Sequence, residues 1–163
     1  MEIKSSIDWP DGSLKVVYRD FDKLEELGDR KVSAVHAYCF YKGKLVIVYA
    51  GKKNEWTPPG GGVDGNETAL QAVIREVKEE SNMKVLKHAF IGYQDISESG
   101  RVLTQTRSVC IVEPYGDFIE DPDEGEITEI KLIDPGEYKN YFDWKEIGEH
   151  IMKRALELLP TLG

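Results

Sequence analysis

The chain has 163 residues, 40% hydrophobic and 31% charged, with a formal net charge of -9. Length and balance predict one folded domain over residues 1–163 with a substantial core, and no run approaches the ~18 apolar residues of a membrane-spanning helix. Thirty acidic against 21 basic side chains argue against a non-specific nucleic-acid binder, which shows a basic face, and a phosphate-bearing ligand would be repelled unless cations intervened.

Taken in order, the N-terminal residues carry no apolar signal segment. "SLKVVYRD" (13–20) alternates loosely and predicts a first strand, and "FDKLEELGDR" a short polar turn or helix ending near Gly28. Residues 1–30 read as an N-terminal extension or strand, a candidate interface for a homodimer. "VSAVHAYCFYKGKLVIVYAG" predicts a β-hairpin turning at Lys42-Gly43-Lys44. "NEWTPPGGGVDGNE" is expected to be a loop, since two prolines and three glycines interrupt any regular element. A helix is predicted over 68–81. Thr68 and Gln71 stand at capping-box spacing, and Leu70, Val73, Ile74 and Val77 form an apolar stripe.

"MKVLKHAFIGYQDI" and "VLTQTRSVCIVEPY" predict two long strands joined near residues 97–101, and "EITEIKLIDP" a further strand. The chain closes on an amphipathic helix. Asp143 and Glu146 mark its start, and Trp144, Ile147, Ile151, Ala155 and Leu158 recur on one face. This order predicts an α/β fold, a mixed sheet between helices. The two cysteines, Cys39 and Cys110, fall in apolar strands. They are expected to be buried free thiols, which places the protein in a reducing cytoplasm.

"REVKEES" (75–81) concentrates charge. At about 100° per residue, Glu76, Glu79 and Glu80 share roughly a third of the helix circumference, with Ala69 and Ala72 on the same side. Like charges at these spacings repel, and the C-terminal half of a helix disfavours anions. Such violations are expected where a cation is bound. Hard divalent cations take carboxylate oxygens as ligands.

The surrounding residues 61–83, "GGVDGNETALQAVIREVKEESNM", have fixed spacings: Gly61, five residues, Glu67, seven residues, Arg75-Glu76, Val77, one residue, Glu79-Glu80. With the upstream "EWTPPGG", this segment resembles the Nudix box. Asn66 and Asn82 stand where that motif usually has glycine. Asn82 falls at the end of the helix, where asparagine is the best substitute for glycine in a left-handed cap.

The resemblance implies a Nudix-type α/β/α sandwich and Mg²⁺- or Mn²⁺-dependent hydrolysis of a nucleoside diphosphate linked to another group. By the same resemblance Glu76, Glu79, Glu80 and the Gly60 carbonyl are metal ligands, Arg75 pairs with Glu79 or Glu67, and Glu67 fixes the loop against the helix. Glu126 is the favoured general base, with Glu76 as the other contender. Lys53, Trp56 and Arg107 are candidate substrate contacts. A proline about 16 residues beyond the box marks ADP-ribose enzymes and a tyrosine there marks dinucleoside polyphosphate enzymes. Ser99 occupies that distance and Tyr93 comes earlier, so the expected substrate is a nucleoside triphosphate, ordinary or modified, cleaved to monophosphate and pyrophosphate. ADP-ribose or a nucleotide sugar is the alternative, as is a ligand-binding module without catalysis.

Other patterns carry less. Gly60-x-Gly62-x-x-Gly65 matches a dinucleotide fingerprint only formally, because no buried strand leads directly into it. "DPDEGE" lacks calcium-loop spacing. His36, His88 and His150 have no metal-ligand spacing and read as structural.

Overall fold

In a computed structural model, residues 1–10, 12–117 and 127–163 are described. Nine strands among them form one sheet: β1 (Glu2–Trp9), β2 (Gly12–Asp20), β3 (Val32–Tyr41), β4 (Lys44–Ala50), β5 (Glu55–Thr57), β6 (Gly60–Gly62), β7 (Met83–Glu98), β8 (Arg101–Pro114) and β9 (Ile127–Ile133). Their main order is β1-β2-β7-β8-β3-β4-β5, with β6 on β3 and β9 on β4. β3 and β8 run parallel and the other pairs antiparallel. Helices α1 (Ala69–Ser81) and α2 (Lys145–Leu158) cover opposite faces, so the expected α/β/α sandwich is present.

The period-2 rule of a strand explains the two faces. On β3, Val35, Ala37 and Cys39 point to α1 and pack with Ala72, Val73 and Val77. The alternate residues Tyr38 and Phe40 join Ile147, Ile151 and Ala155 of α2. Cys39 and Cys110 are register partners on β3 and β8, both buried and both free. Their mutual contact and burial push the Cys39 thiol well above its ordinary range.

Two tight hairpins close on two residues with positive φ. Lys42 and Gly43 (50° and 78°) link Tyr41 to Lys44, and Ser99 and Gly100 (50° and 78°) link Glu98 to Arg101. Paired positive φ is the type I′ geometry whose twist suits adjoining strands. Glu2–Trp9 and Gly12–Asp20 are two strands that continue the sheet from β7. β1 was not expected, because an edge strand with one poorly buried face shows little hydrophobic alternation.

The glycine-rich segment also departs from expectation. Gly60–Gly62 is not a loop but pairs antiparallel with Ala34–His36. A Cβ on Gly60 would sit 2.2 Å from the Val35 carbonyl oxygen, so absence of a side chain permits this strand. β3 pairs with β4 only over three register partners, Cys39 to Tyr41, and nearer its start β6 replaces β4 as its neighbour. The sheet therefore parts between β3 and β4.

α1 is capped as its sequence indicates. The Thr68 hydroxyl accepts from Gln71 N (3.1 Å), and the Gln71 carboxamide oxygen accepts from Thr68 N (2.9 Å). Its buried stripe is rotated from the expected one. Ala69, Ala72, Val73 and Val77 are buried, whereas Leu70 and Ile74 are 37% and 44% exposed. The small alanines let the helix lie close against β3, and this turns Glu76 and Glu80 toward the glycine strand. At the other end Asn82 adopts φ 55°, ψ 39°, a left-handed cap. Its side-chain nitrogen donates to the Asp117 carbonyl (2.8 Å).

α2 is fastened by polar contacts as well as its apolar face. Arg154 donates to the Ile91 carbonyl (2.7 Å) and to Asp22 (2.6 Å), and His150 meets Asp20 at 2.8 Å. No helix of the described residues is long and apolar enough to cross a membrane.

The cap geometry yields a stability prediction. Asn82→Val should lower unfolding free energy by about 1–2 kcal/mol through left-handed strain, more than Asn82→Gly, which loses only the hydrogen bond to Asp117. Chemical denaturation of both variants checks the order.

Candidate active site

Arg75 organises the site. Its Nε and Nη2 form a fork on the two oxygens of Glu67 (2.8 and 3.0 Å), and Nη2 also donates to the Gly62 carbonyl (2.8 Å). Nη1 reaches Glu76 Oε1 (2.9 Å) and Glu79 Oε2 (3.2 Å). Arg75 thus meets both partners expected from the sequence, and Glu76 besides. Arg75 holds the Glu67 carboxyl down at about 2, with the Asp64 N–H assisting. The same contacts raise the Arg75 guanidinium above its ordinary value.

Glu76 and Glu80 flank the glycine strand. Glu80 Oε1 accepts from Gly60 N (2.8 Å). A Cβ on Gly61 would come within 2.5 Å of Glu76 Oε1, so the carboxylate lies directly against the backbone. The Glu76 side chain is only 12% exposed. Burial raises its pKa against the opposing pull of Arg75. Glu79 is half exposed and faces outward beyond Arg75.

Among the described residues no three His, Cys, Asp or Glu side chains converge into a ready metal cage, because Arg75 lies between Glu76 and Glu79. The chemistry of the donors still suits a hard divalent cation. Carboxylate oxygens of Glu76, Glu79 and Glu80 and the Gly60 carbonyl all belong to one short stretch of helix and the strand above it. The desolvated charge on Glu76 is what a cation would offset.

A cavity of about 410 Å³ opens where β3 and β4 part, within the size range of small-molecule sites. Gly60, Gly61, Gly62 and Glu80 border it on one side, Lys53, Glu55 and Thr57 on another, and Ala34, His36 and Gln105 form its floor. Lys53, a candidate substrate contact, therefore stands at the cavity.

Two other expected contacts do not line it. Trp56 packs against Tyr49 and Tyr141, with ring centroids 5.0 and 6.0 Å apart. Arg107 is 4% exposed and stacks on Trp144 at 5.1 Å, behind the cavity floor. Glu126 lies outside the described residues. His36 and Gln105 were missed as cavity residues. Strand alternation places Gln105 on the face of Arg107, but only the β3–β4 separation exposes either neighbour to a ligand.

The NUDIX domain family model matches residues 30–155. No curated protein matches the sequence. Among solved structures, a mutant of the Bacillus subtilis pyrophosphohydrolase BsRppH is similar with TM-score 0.70 and 19% identity, over 100% of this chain and 99% of that one. A C. elegans Ap4A hydrolase complex gives TM-score 0.60 and 20% identity over 80% and 99% of the two chains. An ADP compounds hydrolase gives 0.62 and 15% over 99% and 96%. At these identities the likeness is one of fold.

Glu67 supplies a pH prediction. Its carboxyl is held below its unfolded value, so its contribution to stability is present above about pH 4.5 and is lost as pH falls toward 2. Glu67→Gln should melt below the native protein at pH 7, and the gap should narrow steadily through that acid window. Thermal melts from pH 2 to 7 measure it, and a constant gap would show that the Arg75 fork does not stabilise the fold.

Proposed function

The chain belongs to the Nudix hydrolase family, whose domain matches residues 30–155, and we propose that it is a divalent-metal-dependent hydrolase of the phosphoric anhydride in a nucleotide. The observation that carries this reading is the glycine strand Gly60–Gly62, which lines the cavity together with Glu80 and has Glu76 against its backbone. A nucleoside triphosphate, ordinary or modified, is the favoured substrate, cleaved to monophosphate and pyrophosphate. ADP-ribose or a nucleotide sugar is the alternative. Buried free thiols and the small-molecule site fit a cytoplasmic enzyme.

In this reading Glu76, Glu79, Glu80 and the Gly60 carbonyl hold Mg²⁺ or Mn²⁺. The ion, when bound, neutralises the anhydride oxygens and acidifies a water. Arg75 keeps Glu76 and Glu79 on one side of the helix and ties the glycine strand to it through Gly62. Glu67 fixes Arg75 in turn. Glu76, held at raised pKa in a half-dry position, is suited to accept a proton from the attacking water. Lys53 offers a cation to a phosphate in the cavity. Glu126 is the other candidate base, from the segment preceding β9.

Two outcomes test the reading. Turnover of a panel of nucleoside triphosphates, ADP-ribose, nucleotide sugars and dinucleoside polyphosphates should require Mg²⁺ or Mn²⁺. Full activity in excess chelator contradicts it. Glu80→Gln should lower turnover on the order of 10²-fold while circular dichroism is unchanged. A near-native rate would remove Glu80 from the site. Running the panel in ¹⁸O-water identifies the phosphorus attacked.

A further inference from the structure

Arg107 is charged and buried. Among the described residues no carboxylate lies within ion-pair distance of it, and its Nε has no hydrogen-bond acceptor. Loss of water pushes the guanidinium down to about 10. A buried charge in this condition is unfavourable unless it serves another purpose. Its Nη1 donates to the Thr106 carbonyl and its Nη2 to Gln105 Oε1, each at 3.1 Å. The Trp144 ring covers it.

These contacts fix what Gln105 shows to the cavity. A guanidinium has donors only, so the carboxamide atom it holds is the oxygen. The amide NH₂ is left for the cavity, and no described residue accepts from it. Gln105 pairs with Ala34 across β3, and Ala34 pairs with Gly62 on β6. Two strand spacings, about 10 Å, therefore separate Gln105 from the glycine strand beside the carboxylates. That is the scale of a nucleoside attached to a phosphate chain.

We propose that Gln105 is a specificity residue that selects nucleobases presenting a carbonyl oxygen, as guanine, hypoxanthine and uracil do, over bases presenting an amino group there. Arg107 is the positioning residue that keeps the amide in this sense. The proposal rests on the hydrolase reading only for the placing of the anhydride at the carboxylates. A carbonyl edge completes the unpaired NH₂, whereas an amino group faces it donor to donor and leaves both unsatisfied.

The test compares inosine and adenosine monophosphates, which differ at the C6 substituent and the adjoining N1 proton. Their binding is measured by calorimetry with Mg²⁺ present, which a monophosphate lacking an anhydride survives intact, for native protein, Gln105→Glu and Arg107→Leu. Native protein should bind the inosine compound roughly tenfold more tightly, the scale of one hydrogen bond. Gln105→Glu gives Arg107 a counter-charge and presents only acceptors, so the fold is kept and the order reverses. Arg107→Leu removes a lone buried charge and frees the amide to turn, so the preference levels out.

Equal native affinities, no binding of either compound at millimolar concentration, or an unchanged ratio in Gln105→Glu overturns the proposal. A native protein that keeps the preference but hydrolyses no nucleotide with Mg²⁺ retains the subsite and refutes the hydrolase reading instead.

Discussion

The guanidinium of Arg75 is shared between a loop and a helix, and the geometry of the site follows from that sharing. Glu67 and Gly62 belong to the segment ahead of α1, while Glu76 and Glu79 belong to its middle and last turns. Only a planar group with several donors can meet all four at once. A lysine would satisfy one or two acceptors and leave the others to repel. Because Glu67 is itself held by the Asp64 N–H, the guanidinium cannot swing toward one carboxylate without breaking contacts to the rest. The result is a set of acidic side chains crowded together before any cation is added.

That crowding demands close backbone approach, and small residues supply it on both sides. Ala69 and Ala72 bring α1 down onto β3. Gly60 and Gly61 let β6 pair beside β3 and against the carboxylate of Glu76, where a side chain would strike Val35 or Glu76. Charge spacing, the helix dipole's preference and strand propensity are each violated in this stretch. Such violations concentrate where function is built. The same glycine strand takes the place of β4 beside β3, so the device that seats the carboxylates also opens the cavity next to them.

How much of this was legible in the sequence depended on whether the signal was local. The cap at Thr68 and Gln71, the left-handed Asn82, the Lys42-Gly43 turn and the spacing of Arg75 with its glutamates were readable, because each relation spans a few residues. The rotation of α1 was not. Leu70 and Ile74 outweigh Ala69 and Ala72 on any hydrophobicity scale, yet close packing against β3 favoured the alanines. Strand β6 was hidden for a related reason. Three glycines have no intrinsic strand preference, and pairing with Ala34–His36 is a tertiary fact. Arg107 was noticed as a cation but misplaced as a direct contact, since strand alternation gives its face and not its depth.

Depth is what separates the two ends of the cavity. On one side Glu80 borders it, and the neighbouring Glu76 and Glu79 are tied to Arg75. At its floor the charge sign is opposite, but Arg107 is withdrawn behind Gln105 and acts there by orienting a neutral amide. On the proposed reading the carboxylate side takes an anion through an intervening metal, whereas the floor offers a directional hydrogen bond from Gln105. A molecule with a polyphosphate at one end and a neutral heterocycle at the other is what that reading calls for. A ring that presents an amino group there would instead meet the amide of Gln105 donor to donor.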